Sequence, residues 1–152
     1  MLAKHYVIFA ALVAVAIAEV ADFTKCSDHS DDICEVSEIR ITPCKNSKVC
    51  KIKKGTSPSM SFDYTPKFSC DKLKTGLFWA SDSGDVPFPA LYDADACELT
   101  SCPIEANKKY ELNHTLKLSK KLPQGKFIFK WKLWNADNPS QSCCLQTNVE
   151  LR

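Results

Sequence analysis

Glycine and histidine are scarce in this chain, and several kinds of catalysis are excluded with them. With four glycines in 152 residues there is no glycine-rich loop to cradle a phosphate, and the Gly-x-Ser-x-Gly elbow and the His-Glu-x-x-His zinc motif are both missing. Beyond residue 18 only His29 and His114 remain as candidate histidine bases. The carboxylate pair Asp31 and Asp32 lies beside Ser30 in a polar stretch, where nothing predicts the burial that would perturb a pKa. No catalytic residue is assigned, and no enzyme is expected. Excess charge of one sign is lacking as well. With Lys4 set aside, 19 basic side chains face 18 acidic ones, so a nucleic-acid partner has no global electrostatic support and none is expected. Beyond residue 18 there is also no long stretch with apolar residues at helical spacing, and the segment from Asp93 to Cys97 predicts a turn at most.

The longest apolar run stands at the start. Lys4 and His5 precede Tyr6 to Val15, and Ala16-Ile17-Ala18 supplies the small-x-small pattern of a signal-peptidase site. The run is shorter than the roughly 20 apolar residues a membrane span needs, and no second one follows. The reading is a signal peptide over 1–18, with cleavage after Ala21 as the alternative, and a single secreted domain over 19–152. Nine cysteines (Cys26, Cys34, Cys44, Cys50, Cys70, Cys97, Cys102, Cys143 and Cys144) then read as a disulfide framework with one sulfur left over. No two close C-x-x-C pairs exist, so no metal site is expected, and no cofactor either.

Within the remainder the hydrophobic pattern has period two. Val36 to Ile41, Met60 to Tyr64, Tyr110-Glu-Leu112 with Leu116-Lys-Leu118, Phe127 to Leu133 and Leu145 to Leu151 all alternate, and they are separated by turn signals at Ser83-Gly84, Pro123-Gln-Gly125 and Asn135 to Pro139. About seven such strands without helices to cover a sheet predict an all-β fold of two antiparallel sheets packed face to face. Phe62, Tyr64, Phe78, Trp79, Phe88, Phe127, Phe129, Trp131 and Trp134 are many aromatics for one small domain. They either fill an ordinary core or line a cavity between splayed sheets, and periodicity does not separate the two. The lysines at 45, 48, 51, 53 and 54, and at 117, 120, 121 and 126, read as the wet face of the sheets in preference to an anionic docking patch. Asn113-His114-Thr115 is a usable glycosylation sequon with Asn113 on an outward parity, whereas Asn138-Pro139-Ser140 is blocked by its proline.

Val86-Pro87-Phe88-Pro89, followed by Asp95-Ala96-Cys97 and Cys102-Pro103-Ile104, resembles the Niemann-Pick type C2 family of the ML lipid-recognition superfamily, which also contains the group 2 mite allergens. The resemblance extends from Phe23-Thr-Lys-Cys26 through Ile39-Arg-Ile41-Thr-Pro43-Cys44, Cys50 and Lys54-Gly55 to Tyr110, Leu122-Pro123, Trp131-Lys-Leu133 and the late cysteine. It implies an immunoglobulin-like sandwich with an internal apolar cavity, and the pairs Cys26–Cys144, Cys44–Cys50 and Cys97–Cys102. Parity supports Cys144 over Cys143 for the first pair, because Cys144 shares the outward face with Gln146, Asn148 and Glu150. Cys143 then stands inward as a free, small hydrophobe. Cys34, Cys70 and Cys143 depart from the family pattern, two of them able to form a fourth bridge. The family's sterol contacts carry over to Ile41, Phe88, Leu118 and Leu122, the last standing where vertebrate sterol carriers place an aromatic. The expected lining is Ile39, Ile41, Phe62, Tyr64, Phe88, Leu116, Leu118, Leu122, Phe127, Phe129 and Trp131. The expected function is a secreted, monomeric carrier of a hydrophobic small molecule: a fatty acid or related semiochemical, with transient contact to a membrane or receptor on release. A sterol-transfer protein and an innate-immune recogniser of bacterial lipid are the alternatives.

Overall fold

The structure, a computed structural model, describes residues 19–152; the expected signal peptide lies outside the described residues. Eleven strands follow in chain order: β1 (Glu19–Ala21), β2 (Thr24–Lys25), β3 (Cys34–Thr42), β4 (Cys50–Ile52), β5 (Ser59–Pro66), β6 (Leu73–Trp79), β7 (Val86–Pro87), β8 (Ala94–Asp95), β9 (Tyr110–Thr115), β10 (Gly125–Asn135) and β11 (Ser142–Leu151). A short helical turn, Ala96–Glu98, is capped by the Asp95 carboxylate, which accepts from the Cys97 N–H. One sheet has the order β1-β3-β5-β9. The other runs β2-β11-β10-β6-β7, with β4 pairing parallel to β11 and β8 pairing to β6.

The alternation of β10 explains the layering. Phe129, Trp131 and Leu133 are buried against the facing sheet, while Lys130 and Lys132 turn outward to Asp28 and Asp85. In β3 the alternation is not continuous. A bulge between Val36 and Glu38 resets the register, so Val36 and Ile39 both face inward although they are three positions apart. β9 ends at Thr115, earlier than the apolar parity suggests. Leu116 and Leu118 stay buried because their N–H groups donate to the carbonyls of Pro58 and Thr56 beyond the end of β5. β6 is not among the strands read from alternation, because Gly76-Leu77-Phe78-Trp79 is nearly all apolar. Its Leu73, Thr75 and Leu77 face inward, and Phe78 packs outward edge-on against Tyr92.

Four disulfides hold the chain: Cys26–Cys144, Cys34–Cys143, Cys44–Cys50 and Cys97–Cys102, with Cys70 unpaired. Of the three cysteines whose pairing the sequence leaves open, Cys34 and Cys143 form the fourth bridge, so Cys143 is not the free, inward hydrophobe that parity allows. Its side chain does face inward, but that direction points it across the interior at Cys34 of the opposite sheet, and the two sulfurs join. The leftover sulfur is Cys70, whose thiol is pushed up by burial, against a hydrogen bond from its own S–H to the Lys72 carbonyl.

On the outer face of the first sheet Arg40 serves three carboxylates. It pairs with Glu38, with Asp63 at 2.5 Å and with Glu111 at 3.0 Å, and it donates to Ser61 Oγ at 3.1 Å. The Arg40 guanidinium holds the Asp63 carboxyl below its ordinary value, and Lys109 adds to this.

Two predictions follow from these cross-links. With Cys26–Cys144 in place, closing Cys34–Cys143 encloses only the short ring through residues 26–34 and 143–144. On the chain-entropy argument the Cys34→Ala/Cys143→Ala double variant should then lose about 3 kcal/mol in urea unfolding, not the nearly 5 an isolated loop of this separation implies. Because the folded carboxyl of Asp63 is depressed, its stabilisation is complete above its ordinary value and is lost as pH falls below about 4. Urea midpoints measured from pH 6 down to pH 3 should fall less steeply for Asp63→Asn than for the wild type.

Candidate functional site

The expected lining residues converge from both sheets into one core. Ile39 and Ile41 come from β3, Phe62 and Tyr64 from β5, Phe129 and Trp131 from β10, and all are fully buried. Leu116 and Leu118 reach it from the segment after β9, and Phe88 from the segment after β7. Leu122 and Phe127 are partly buried and pack against its rim. Packing is continuous across the sandwich: the Phe62 ring meets Trp131 edge-on at 4.9 Å, and Tyr64 lies 5.8 Å from Phe62.

Polar atoms that enter this interior are neutral, and those of Trp131, Thr75, Tyr64 and Thr147 are paired within the protein. Trp131 Nε1 donates to Thr75 Oγ1 at 3.0 Å, and Thr75 in turn donates to the Lys132 carbonyl at 2.9 Å. Tyr64 Oη lies 3.1 Å from Thr100 Oγ1, and burial pushes its phenol up to about 12, so it stays protonated. Thr147 Oγ1 donates to the Asp22 carbonyl.

In this structure the two inner faces meet. Ile39, Ile41, Phe62, Tyr64 and Phe129 have 0 % of their surface accessible, so no water-sized void adjoins any of them. A molecule bound between the sheets requires them to part. The Cys34–Cys143 bridge fixes the layers where Leu133 pairs with Cys143. The opposite end, around Phe127, Trp79 and Leu122, is closed by side chains and by two loops that touch there. Lys54 Nζ donates to the Leu122 carbonyl at 2.9 Å, and Gly55 leaves the room that the Lys120 side chain occupies. Phe129, the partner of Trp79, is four residues from Leu133, or about 13 Å along the strand.

That end carries an aromatic cluster that the period-two reading captures only in part. Trp79 stacks on Phe88 at 5.6 Å and tilts against Phe127 at 4.4 Å, while Phe88 lies 5.2 Å from Phe129. Trp79 is absent from the expected lining. The signal that identifies it is its shared parity with Leu73, Thr75 and Leu77, visible once β6 is taken as a strand.

Other singled-out residues stand apart from this interior. Asn113 is exposed on β9, an edge strand. Asp31 and Asp32 are both exposed, and a hydrogen bond from the Lys25 ammonium holds Asp31 below its ordinary value. His29 is a brace: its side chain is 1 % exposed, Nδ1 accepts from the Cys144 N–H at 3.2 Å, and Nε2 faces Asp31. Among the described residues, one group of metal-ligating types gathers, Cys26, Asp28 and Cys144, and both of its sulfurs are consumed by a disulfide. The lysines at 45, 48, 51, 53, 117, 120, 121 and 126 are exposed, and none of them forms an ion pair among the described residues, unlike Lys130 and Lys132.

The sequence profile of the ML domain family matches residues 20–151. An MD-2-related lipid-recognition protein of Manduca sexta is 44 % identical over 100 % of this chain and 99 % of its own. The NPC intracellular cholesterol transporter 2 of Bos taurus is 28 % identical over 95 % of this chain and 93 % of its own. The crystal structure of a Niemann-Pick type C2 protein from Japanese carpenter ant superposes with a TM-score of 0.73 at 20 % identity, covering 86 % of this chain and 99 % of the other. The two-sheet sandwich and the apolar interior agree with this match along nearly the whole chain. The protein belongs to the ML domain family and is a lipid-recognising binding protein, not an enzyme.

Proposed function

We propose that this protein is a secreted carrier that holds a single-chain lipid, a fatty acid or a related semiochemical, between its two sheets. The observation that carries the reading is the interior itself: eleven apolar or aromatic side chains from both layers, no charge among them, bridged at one end by Cys34–Cys143. At the other end Cys44–Cys50 ties the chain leaving β3 to β4 along one edge, and the edge beside Trp79 and Leu122 is closed by side chains and loops. A chain of about a dozen methylenes gains up to ~10 kcal/mol by leaving water at ~0.8 each, and association costs bring this to micromolar affinity. Four disulfides fit an oxidising, extracytoplasmic setting, and the protein is expected to act as a monomer. Unpaired Lys53, Lys120 and Lys121 border the closing loops and favour a transient contact with an anionic membrane or an acidic receptor when the lipid is handed over. The outward, exposed position of Asn113 supports its use as a glycan acceptor.

The name of the bovine relative supports a second reading, sterol transfer. Against it, Leu122 gives the rim a branched aliphatic wall in place of a planar one. A third reading, recognition of a bacterial lipid, rests on the family resemblance; the name of the Manduca relative says lipid recognition only.

Native mass spectrometry of the oxidised, secreted protein, followed by extraction, tests the proposal. One fatty acid or other single-chain amphiphile per chain is the expected finding. Cholesterol displacing a fluorescent probe far better than oleate would establish the second reading. A clean apo mass with no uptake of oleate or cholesterol would overturn the carrier function. Phe62→Asp places a charge in the centre of the interior and should abolish uptake while lowering stability by several kcal/mol.

A further inference from the structure

Two tryptophans face inward from β6 and β10, and their surroundings treat them differently. Trp131 Nε1 has an acceptor, Thr75 Oγ1. Trp79 Nε1 is buried and has none; among the described residues it is the one buried side-chain nitrogen or oxygen left without a hydrogen-bond partner. Folded proteins rarely leave a buried donor unpaired, and an indole N–H can only donate. The Trp79 ring itself is half-buried at the last position of β6, in register with Phe129 on one side and Val86 on the other. It stands at the end opposite the Cys34–Cys143 bridge, on the β6 edge away from Cys44–Cys50, where the carrier reading has the sheets separate, and its N–H looks for an acceptor that the protein does not supply.

We propose that Trp79 Nε1 is the donor for the polar end of the bound lipid, and that this end is an uncharged oxygen acceptor: an ester or aldehyde carbonyl, or an alcohol oxygen. The inference rests on the carrier reading above and narrows its ligand, setting the ionised fatty acid aside in favour of its uncharged single-chain relatives. The uncharged character follows from what surrounds the donor. The Trp79 ring packs against Phe88, Phe127 and Phe129; Lys130, on the adjacent strand position, turns outward to Asp28 and Asp85, and Lys54 at the closing loops is engaged by the Leu122 carbonyl. A carboxylate placed among three phenyl rings would exchange its hydration for one neutral hydrogen bond, a losing trade in an apolar site. A carbonyl or alcohol oxygen needs only one good donor, and Trp79 provides one.

Probe-displacement titrations of the oxidised full chain with oleyl alcohol, methyl oleate and 1-octadecene, repeated on Trp79→Phe, test this. Trp79→Phe should weaken oleyl alcohol and methyl oleate about tenfold and leave 1-octadecene within twofold, since the hydrocarbon has no oxygen to lose. Equal effects on all three, or none, would overturn the assignment while leaving the carrier function intact. Oleate at pH 8 showing the same tenfold dependence would overturn the uncharged head. A wild-type protein that takes up none of these lipids would remove the carrier reading and this inference together. Should Trp79→Phe fold poorly, the indole cross-peaks of the 15N-labelled wild type decide. One of the three should move downfield in the proton dimension with oleyl alcohol and stay in place with 1-octadecene, and an unmoved set would refute the contact.

Discussion

Neighbouring residues of a strand point to opposite sides of a sheet, and at positions 143 and 144 that rule becomes two covalent bonds running in opposite directions. Cys143 reaches across the interior to Cys34, and Cys144 reaches outward to Cys26. β11 is thereby anchored to the facing sheet and to the N-terminal segment at a single point along its length. The Cys144 N–H is also taken up by His29, a buried imidazole committed to holding this junction. The candidate lipid site is arranged relative to this point, since it fixes one end of the sandwich, while the other is held by Cys44–Cys50 on the β3 and β4 edge and by side chains on the β6 edge.

The interior has the character of a closed solvent. Its polar atoms are hydroxyls, an indole and a phenol, and nearly all are paired within the protein, so an incoming alkyl chain displaces contacts with hydrocarbon and little else. Opening therefore exchanges one set of apolar contacts for another. The cost is the loss of interdigitation between Phe62 and Trp131 and their neighbours, and the gain is the surface the lipid removes from water. A carrier with such an interior collapses when empty, and water does not fill it.

Much of this was legible in the sequence, for reasons that can be traced to particular residues. β10 and β11 alternate cleanly because one face of each is wet, and Lys130 and Lys132 mark that face. β6 was not legible by the same rule, since Phe78 finds an apolar partner in Tyr92 on the outside and the alternation disappears. The bulge in β3 was hidden because a one-residue offset between Val36 and Ile39 looks like noise in so short a stretch. The family resemblance supplied three cysteine pairs. The fourth depended on which inward sulfur of one sheet faces which of the other, a question of register between layers that no single strand contains. Trp79 was visible as an aromatic, but the solitude of its N–H is a property of its neighbours in space.

The edges of the two sheets bear on how such a protein persists at high concentration. β1 has three residues, β2 and β7 have two each, and β7 ends in Pro87, which has no N–H to offer. β9 is the longest edge, yet the Asn113 N–H on its free side is already engaged by the Leu99 carbonyl. β4 and β8, which also lie at edges, have three and two residues, so among the described residues most edges are too short to template strand-by-strand addition. On the proposed carrier reading, parting the layers would expose apolar side chains and no further row of unpaired backbone groups, since the ladders within each sheet stay closed.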